Sequence, residues 1–97
     1  MITLDEIRDI LNREKRTLRE QFKIKELSIF GSFVRGESRE GSDLDILVEF
    51  SGLVGFFEFL DLEEYLQNLL EVKIDLVSKK ALKPKIGERI LKEAVPV

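Results

Sequence analysis

The segment at residues 44–50, LDILVEF, has the alternation of a β-strand more clearly than any other part of this chain. In an extended strand Leu44, Ile46 and Val48 fall on one face, and Asp45 falls on the other. One face is therefore suited to a hydrophobic core and the other carries acidic side chains. The chain must fold around a sheet that buries the first face.

Two further segments have strand character, IKELSIF at residues 24–30 and VKIDLV at residues 72–77. The link between the first two strands is too short for a full crossover, so we expect that pair to be antiparallel. The link between the second and third strands is long enough to carry a helix, which favours a right-handed parallel crossover. The sequence therefore predicts a small mixed β-sheet of about three strands.

Helical patterns surround these strands. Thr3 and Glu6 have the spacing of a capping box, which marks a helix start. A proline is tolerated in the first turn of a helix, so Pro84 is expected to open the last one. The predicted helices cover about residues 4–21, residues 56–70, and the stretch from about Pro84 to before Pro96.

Residues 33–42 contain two glycines and leave room for a short helical turn and a loop. The predicted order is α-β-(short α)-β-α-β-α, an α/β (α+β) fold in which helices flank the sheet. The length suits one hydrophobic core, so residues 1–97 are expected to form a single domain.

The composition excludes several kinds of chemistry. Cysteine and histidine are both absent, which rules out disulfides, thiolate metal sites and imidazole catalysis. Catalysis would have to use carboxylates, supported by Lys, Arg, Ser or Tyr. The net charge of −3 argues against direct nucleic-acid binding. Because the chain has no membrane-length apolar run and no signal-peptide pattern, we expect a cytoplasmic protein without a membrane partner.

Asp43 and Asp45 carry the strongest chemical signal. Two residues apart on a strand, their carboxylates project from the same face, about 6–7 Å apart along the chain. They repel each other unless a cation lies between them, and Mg²⁺ prefers such oxygen ligands together with substrate phosphates. If the third strand is a neighbour, Asp75 joins them, and three carboxylates are enough to hold two metal ions.

An anion site is indicated just upstream, where Gly31 and Ser32 end the first strand. Glycine allows close approach of a ligand to the backbone, Ser32 offers a hydroxyl, and Arg35 can reach the same phosphate oxygens. Taken singly, each of these features has a structural explanation: a turn, a solvent-facing strand edge or a surface arginine. Together they fit transfer from a nucleoside triphosphate.

The stretch GSFVRGESREGSDLDILVEF at residues 31–50 resembles the signature of the DNA polymerase beta-like nucleotidyltransferase superfamily: Gly-Ser, ten residues, then Asp-x-Asp. The Arg-Gly pair in the spacer, Ser42 before the first Asp, and VKIDLV for the third acid are similar to the minimal nucleotidyltransferase (MNT) branch. The ending KPKIGERILKEAVPV also resembles that branch. The resemblance covers about residues 20–97.

This resemblance implies a nucleotidyltransferase fold and particular roles. Asp43 and Asp45 would bind both Mg²⁺ ions, and Asp75 would bind the ion nearer the nucleophile and help to draw off the hydroxyl proton. ATP would be the substrate, and the implied nucleotide-binding residues are Gly31, Ser32, Arg35 and Ser42. Many MNT proteins are antitoxins paired with a HEPN-domain ribonuclease toxin, and some transfer AMP to a toxin tyrosine. Glu71 stands where relatives often have Gly, a departure that affects a helix end rather than the chemistry.

Other functions remain open at this stage. A non-catalytic antitoxin would act by contact, a nucleotide-sensing module would bind ATP without turnover, and an aminoglycoside-type transferase would need a further domain for its acceptor. The aromatic group Phe56, Phe57 and Phe59 is interpreted as core, and its alternative is a docking surface for a partner or for a second copy in a homo-oligomer.

Overall fold

The computed structural model describes all 97 residues, Met1–Val97. It contains five α-helices, four β-strands and one 3₁₀ turn at Lys79–Ala81. The helices are α1 (Leu4–Arg13), α2 (Lys15–Phe22), α3 (Ser32–Arg35), α4 (Phe56–Leu70) and α5 (Pro84–Glu93). The strands are β1 (Ile24–Phe30), β2 (Leu44–Phe50), β3 (Ile74–Ser78) and β4 (Val95–Pro96).

The strands form one mixed sheet in the order β3-β2-β1-β4. β1 and β2 are antiparallel and β2 and β3 are parallel, which confirms both predictions. The sheet has one strand more than expected, because β4 pairs antiparallel with β1 through Ser28–Pro96 and Ile29–Val95. A two-residue strand is too short for any alternation to reveal it. The predicted α/β class is confirmed.

The predicted N-terminal helix is two helices. The capping box is present, since the Thr3 hydroxyl accepts a hydrogen bond from the Glu6 N–H (3.2 Å) and the Glu6 carboxylate accepts one from the Thr3 N–H (3.1 Å). The helix is interrupted at Glu14, whose backbone leaves the helical region at φ −94°, ψ 6°. The Glu14 carboxylate there accepts a hydrogen bond from the Tyr65 hydroxyl of α4 (3.0 Å), which also raises the Tyr65 pKa in addition to the larger effect of burial.

The core lies on one face of the sheet. Leu44, Ile46 and Val48 of β2 are fully buried there, as the alternation predicted. Helices α1, α2 and α4 cover this face, and burial of their apolar side chains is the main stabilising contribution. These helices bury Ile7, Leu11, Leu18, Leu62, Leu66 and Leu70.

The opposite face of the sheet carries the acidic residues of β2, and α5 lies over part of it. Leu91 of α5 lines a small cleft there together with Leu47 of β2. None of the five α-helices combines the length and the apolar character needed to cross a bilayer.

The aromatic group divides between core and surface. Phe59 packs against Phe50, with ring centroids 6.4 Å apart. Phe56 and Phe57 are 71% and 78% exposed, so their interpretation as core residues is wrong. They open α4, which follows the C-terminal end of β2, whereas the acidic residues lie at the N-terminal end of that strand.

Candidate active site

Two of the predicted carboxylates are brought side by side by the register of the sheet. Asp45 of β2 lies directly opposite Asp75 of β3 in the parallel pair. Adjacent strands are about 4.8 Å apart, and register partners project from the same face. Asp43 immediately precedes β2 and is exposed, as is Asp75, whereas Asp45 is half-buried. The three acids thus lie at one end of the sheet, with Asp45 in the middle.

Asp45 is electrostatically perturbed. Its pKa is raised from 3.8 to about 6, first by burial and then by the charge of Asp75, a hydrogen bond shared with Asp75 and the charge of Asp43, while the charge of Arg35 opposes these effects. A raised carboxyl pKa means that the ionised form lacks sufficient compensation in the folded chain. A cation placed between the acids would supply that compensation.

The donor atoms are of the kind that Mg²⁺ prefers, although the three carboxylates do not converge on a single point. No group of three or more acidic side chains is close enough to enclose a metal ion. The donors are nevertheless all carboxylate oxygens, which is the preference of a hard divalent cation that retains waters and substrate phosphates among its ligands. The charge of an ionised Asp45, which Arg35 compensates only in part, supports the same assignment.

Gly31 is required by its contact with Asp45. Its backbone has φ +79° and ψ −154°, a positive-φ extended conformation that is essentially restricted to glycine. A Cβ at this position would overlap the Asp45 carboxylate oxygen Oδ2. The end of β1 can therefore pass beneath the carboxylate only without a side chain. Sequence reasoning identified this glycine, but as a phosphate contact; the structure adds its role beneath Asp45.

The donors beside Gly31 that could bind an anion are occupied by a carboxylate of this protein, that of Glu93. The Gly31 N–H donates to Oε2 of Glu93 (2.8 Å), and Nη1 of Arg35 donates to Oε1 of the same carboxylate (2.6 Å). Nε of Arg35 also donates to Glu37 (3.2 Å). Arg35 first and the Gly31 N–H second lower the Glu93 pKa, and Glu93 followed by Glu37 raises the Arg35 pKa.

Glu93 was missed by the sequence reasoning. It lies 62 residues from Gly31 at the end of an amphipathic helix, where an acidic residue looks like part of a solvated face. Arg89, one turn earlier on α5, was missed for the same reason. It lines a cleft of about 290 Å³ together with Gly31, Arg35, Asp45 and Glu93.

The two predicted serines are placed differently. Ser32 is half-buried at the start of α3, next to Gly31. Ser42 closes a turn, because its hydroxyl accepts a hydrogen bond from the Arg39 N–H (2.8 Å). It lines a separate cleft of about 760 Å³ beside α1 and does not line the cleft that contains Gly31 and Asp45.

The arrangement combines adjacent carboxylates with an arginine and a backbone N–H that hold an anion. Carboxylates of this kind position metal ions beside the oxygens that attack and leave during phosphoryl or nucleotidyl transfer. Donors of this kind hold the phosphates of the leaving group. The site can therefore align a nucleoside triphosphate with its reactive phosphorus close to Asp45 and Asp75.

Comparisons with known proteins identify the family and the fold of this chain. The family described as "Nucleotidyltransferase domain" matches residues 7–97. Protein adenylyltransferase MntA of Thermococcus cleftensis is 48% identical over 97 residues, covering 100% of this chain and 98% of that protein. A solved structure described as a minimal nucleotidyltransferase is 34% identical, with a TM-score of 0.77, and covers 94% of this chain and 95% of the other.

A solved toxin–antitoxin complex with AMP-PNP contains a chain of the same fold. The TM-score is 0.74 at 22% identity, and the match covers 88% of this chain and 69% of the other. At this identity the likeness concerns the fold.

Proposed function

This chain belongs to the nucleotidyltransferase domain family, and on that premise we propose that it transfers AMP from ATP to a tyrosine hydroxyl of a partner HEPN toxin. The observation that carries the proposal is the register pairing of Asp45 with Asp75. The anion-holding pair Gly31 and Arg35 lies beside this carboxylate pair. Carboxylates and phosphate-binding donors arranged in this way are suited to the transfer of a nucleotidyl group.

Asp43, Asp45 and Asp75 would hold Mg²⁺, which when bound stabilises negative charge on the attacking and leaving oxygens. The raised pKa of Asp45, at about 6, still leaves that carboxyl group mainly ionised at neutral pH. It is thus available as a ligand under ordinary conditions. Asp45 is half-buried, and its close contact with the Gly31 backbone restricts the direction in which the carboxylate can point.

The remaining residues orient the substrate and move a proton. The Gly31 N–H and the Arg35 guanidinium bind the phosphates that leave as pyrophosphate. The acceptor oxygen attacks the α-phosphorus, a new O–P bond forms, and the bond to the bridging α–β oxygen breaks. Asp75, exposed beside Asp45 on the neighbouring strand, accepts the hydroxyl proton.

The acceptor belongs to another molecule. Tyr65 is the only tyrosine of this chain, and its hydroxyl is bound to Glu14 on the α1–α4 side of the sheet. A tyrosine held on that side is not available to the carboxylates on the opposite face. Support for a protein acceptor comes from the end-to-end similarity to a protein adenylyltransferase, and support for a toxin comes from the toxin–antitoxin complexes among the structures of the same fold.

The test is transfer of label from α-labelled ATP, with Mg²⁺, to the protein encoded next to this one. Asp43→Asn and Asp45→Asn should each reduce transfer by at least about 10³-fold, because charge stabilisation in the transition state is lost. Asp61→Asn, an exposed acid on α4 away from the site, is the matched control and should retain full transfer. Transfer at the wild-type rate by Asp45→Asn would contradict the proposal.

Neutralisation of the toxin by contact alone is the second candidate. The exposed apolar residues Leu53, Phe56 and Phe57 favour it, since contiguous exposed apolar surface often marks a protein interface. A stable complex without label on either protein, at saturating ATP and Mg²⁺, would favour this candidate over transfer.

A further inference from the structure

We propose that Glu93 is a built-in competitor of the nucleotide: its carboxylate occupies the phosphate site when that site is empty and leaves when a triphosphate binds. This inference rests on the proposed function, because it concerns the same phosphate site. It gives the end of α5 a role in controlling nucleotide binding, which neither the three aspartates nor the Gly31–Ser32 turn provides.

The first support is the set of contacts. Each oxygen of the Glu93 carboxylate takes one donor, Oε2 the Gly31 N–H (2.8 Å) and Oε1 the Arg35 guanidinium (2.6 Å). A phosphate group would take the same two donors, since both arginine and backbone N–H groups are its usual partners. The side chain of Glu93 is only 24% exposed, so it lies within the site rather than in solvent above it.

The second support is that these contacts exclude a bound phosphate. A backbone N–H has one hydrogen to donate, and Glu93 uses the one on Gly31. A glutamate that merely oriented Arg35 would have no need of that hydrogen. Two negative groups at one site also repel each other, so a triphosphate and the Glu93 carboxylate cannot share these donors.

The third support is an alternative position for the displaced side chain. Arg89 lies one helical turn before Glu93 on α5, lines the same cleft and contributes to lowering the Glu93 pKa. Residues four apart on a helix face each other, so Arg89 can take the carboxylate when the phosphates arrive. Glu93 is the last residue of α5, where a change of side-chain position leaves the helix intact.

Two consequences follow. A triphosphate must displace an ion pair, so nucleotide affinity is lower than the phosphate contacts alone would give. Weakly bound anions do not displace Glu93, and the site stays closed to them. Removing the charge of Glu93 should therefore strengthen binding of ligands that carry phosphates and leave phosphate-free ligands unaffected.

Calorimetric titration with AMP-PNP and Mg²⁺, and separately with adenosine, tests the inference on the intact chain. Glu93→Gln should bind AMP-PNP about 10-fold more tightly than the wild type, the worth of one charge-assisted contact. Its affinity for adenosine should be unchanged. Glu88→Gln, an exposed acid elsewhere on α5, is the matched control and should behave as the wild type.

Unchanged or weaker AMP-PNP binding by Glu93→Gln would overturn the inference, and weaker binding would mean that Glu93 orients Arg35. If the wild type also transfers label, only the inference fails; if no variant binds nucleotide, the proposed function fails with it.

A carboxyl NMR titration of the wild type avoids dependence on the variant. The Glu93 pKa is lowered in the free protein mainly by Arg35 and the Gly31 N–H and only weakly by Arg89. It should therefore rise on addition of AMP-PNP, because the two larger effects are lost, and an unchanged pKa would also overturn the inference.

Discussion

At the scale of single residues, the site depends on the absence of a side chain at position 31. Asp45 can be half-buried there only because Gly31 has no side chain beneath it. Gly31→Ala should therefore lower the free energy of unfolding by about 2 kcal/mol or more, because the backbone strain at a conformation restricted to glycine adds to the overlap with Asp45. It should also abolish the proposed transfer, because the Asp45 carboxylate must turn away. Urea unfolding and the label-transfer assay measure the two effects.

Gly36 provides the matched control for this substitution. It also has a positive φ, +73°, but its ψ of 22° places it in the milder left-handed helical region, and a Cβ there would meet no atom within 4 Å. Gly36→Ala should cost about 1 kcal/mol of stability and leave transfer close to the wild-type rate. If both variants lost the same stability and kept their activity, overlap with Asp45 would not be the reason for the glycine.

At the scale of elements, α4 ends on a residue that is poorly suited to its conformation. Glu71 lies in the left-handed region, with φ 54°, where glycine is favoured. Glu71→Gly should stabilise the chain by about 0.5–1 kcal/mol, because the strain at the helix end is relieved. Glu64→Gly, exposed within the same helix, should destabilise it by about 1 kcal/mol. Thermal unfolding of the two variants should move in opposite directions.

Local patterns explain most of what could be predicted for these elements. The bounds of β1, β2 and α4, and the start of α5, follow from alternation, helical periodicity and Pro84, which are properties of short windows of sequence. The interruption at Glu14 and the strand β4 were not predictable, since a one-residue break and a two-residue strand leave no periodic signal. The bounds of long helices and strands can therefore be predicted from the sequence, whereas very short elements and breaks cannot.

The candidate site follows the same division. The pairing of Asp45 with Asp75 was predictable, because a parallel neighbour with an acid on its polar face leaves few registers open. The contact of Glu93 with Gly31 was not, since it depends on how α5 packs against the end of β1. Phe56 and Phe57 were misjudged because aromatic character does not reveal on which side of a helix the core will lie.

At the scale of the whole molecule, the acidic end of the sheet opposes folding when no cation is bound. The pKa of Asp45 is raised from 3.8 to about 6, so between these values the folded chain retains a proton that the unfolded chain has lost. Stability must then fall as the pH rises from about 4 to 6, and this contribution levels off above the folded pKa. Glu93 acts in the opposite sense at lower pH, because its pKa is lowered.

Asp45→Asn isolates this effect from that of other carboxyl groups. Without Mg²⁺, the free energy of unfolding of the variant minus that of the wild type should grow from pH 4 to pH 6 and then stay constant, so the variant is as stable as the wild type or more so at neutral pH. Urea unfolding at unit steps of pH measures the difference.

Mg²⁺ at pH 7 should raise the melting temperature of the wild type and leave that of Asp45→Asn nearly unchanged, since binding stabilises only the form that retains its ligands. A constant difference across this pH range, together with equal responses to Mg²⁺, would mean that the carboxylates neither repel one another nor bind the metal.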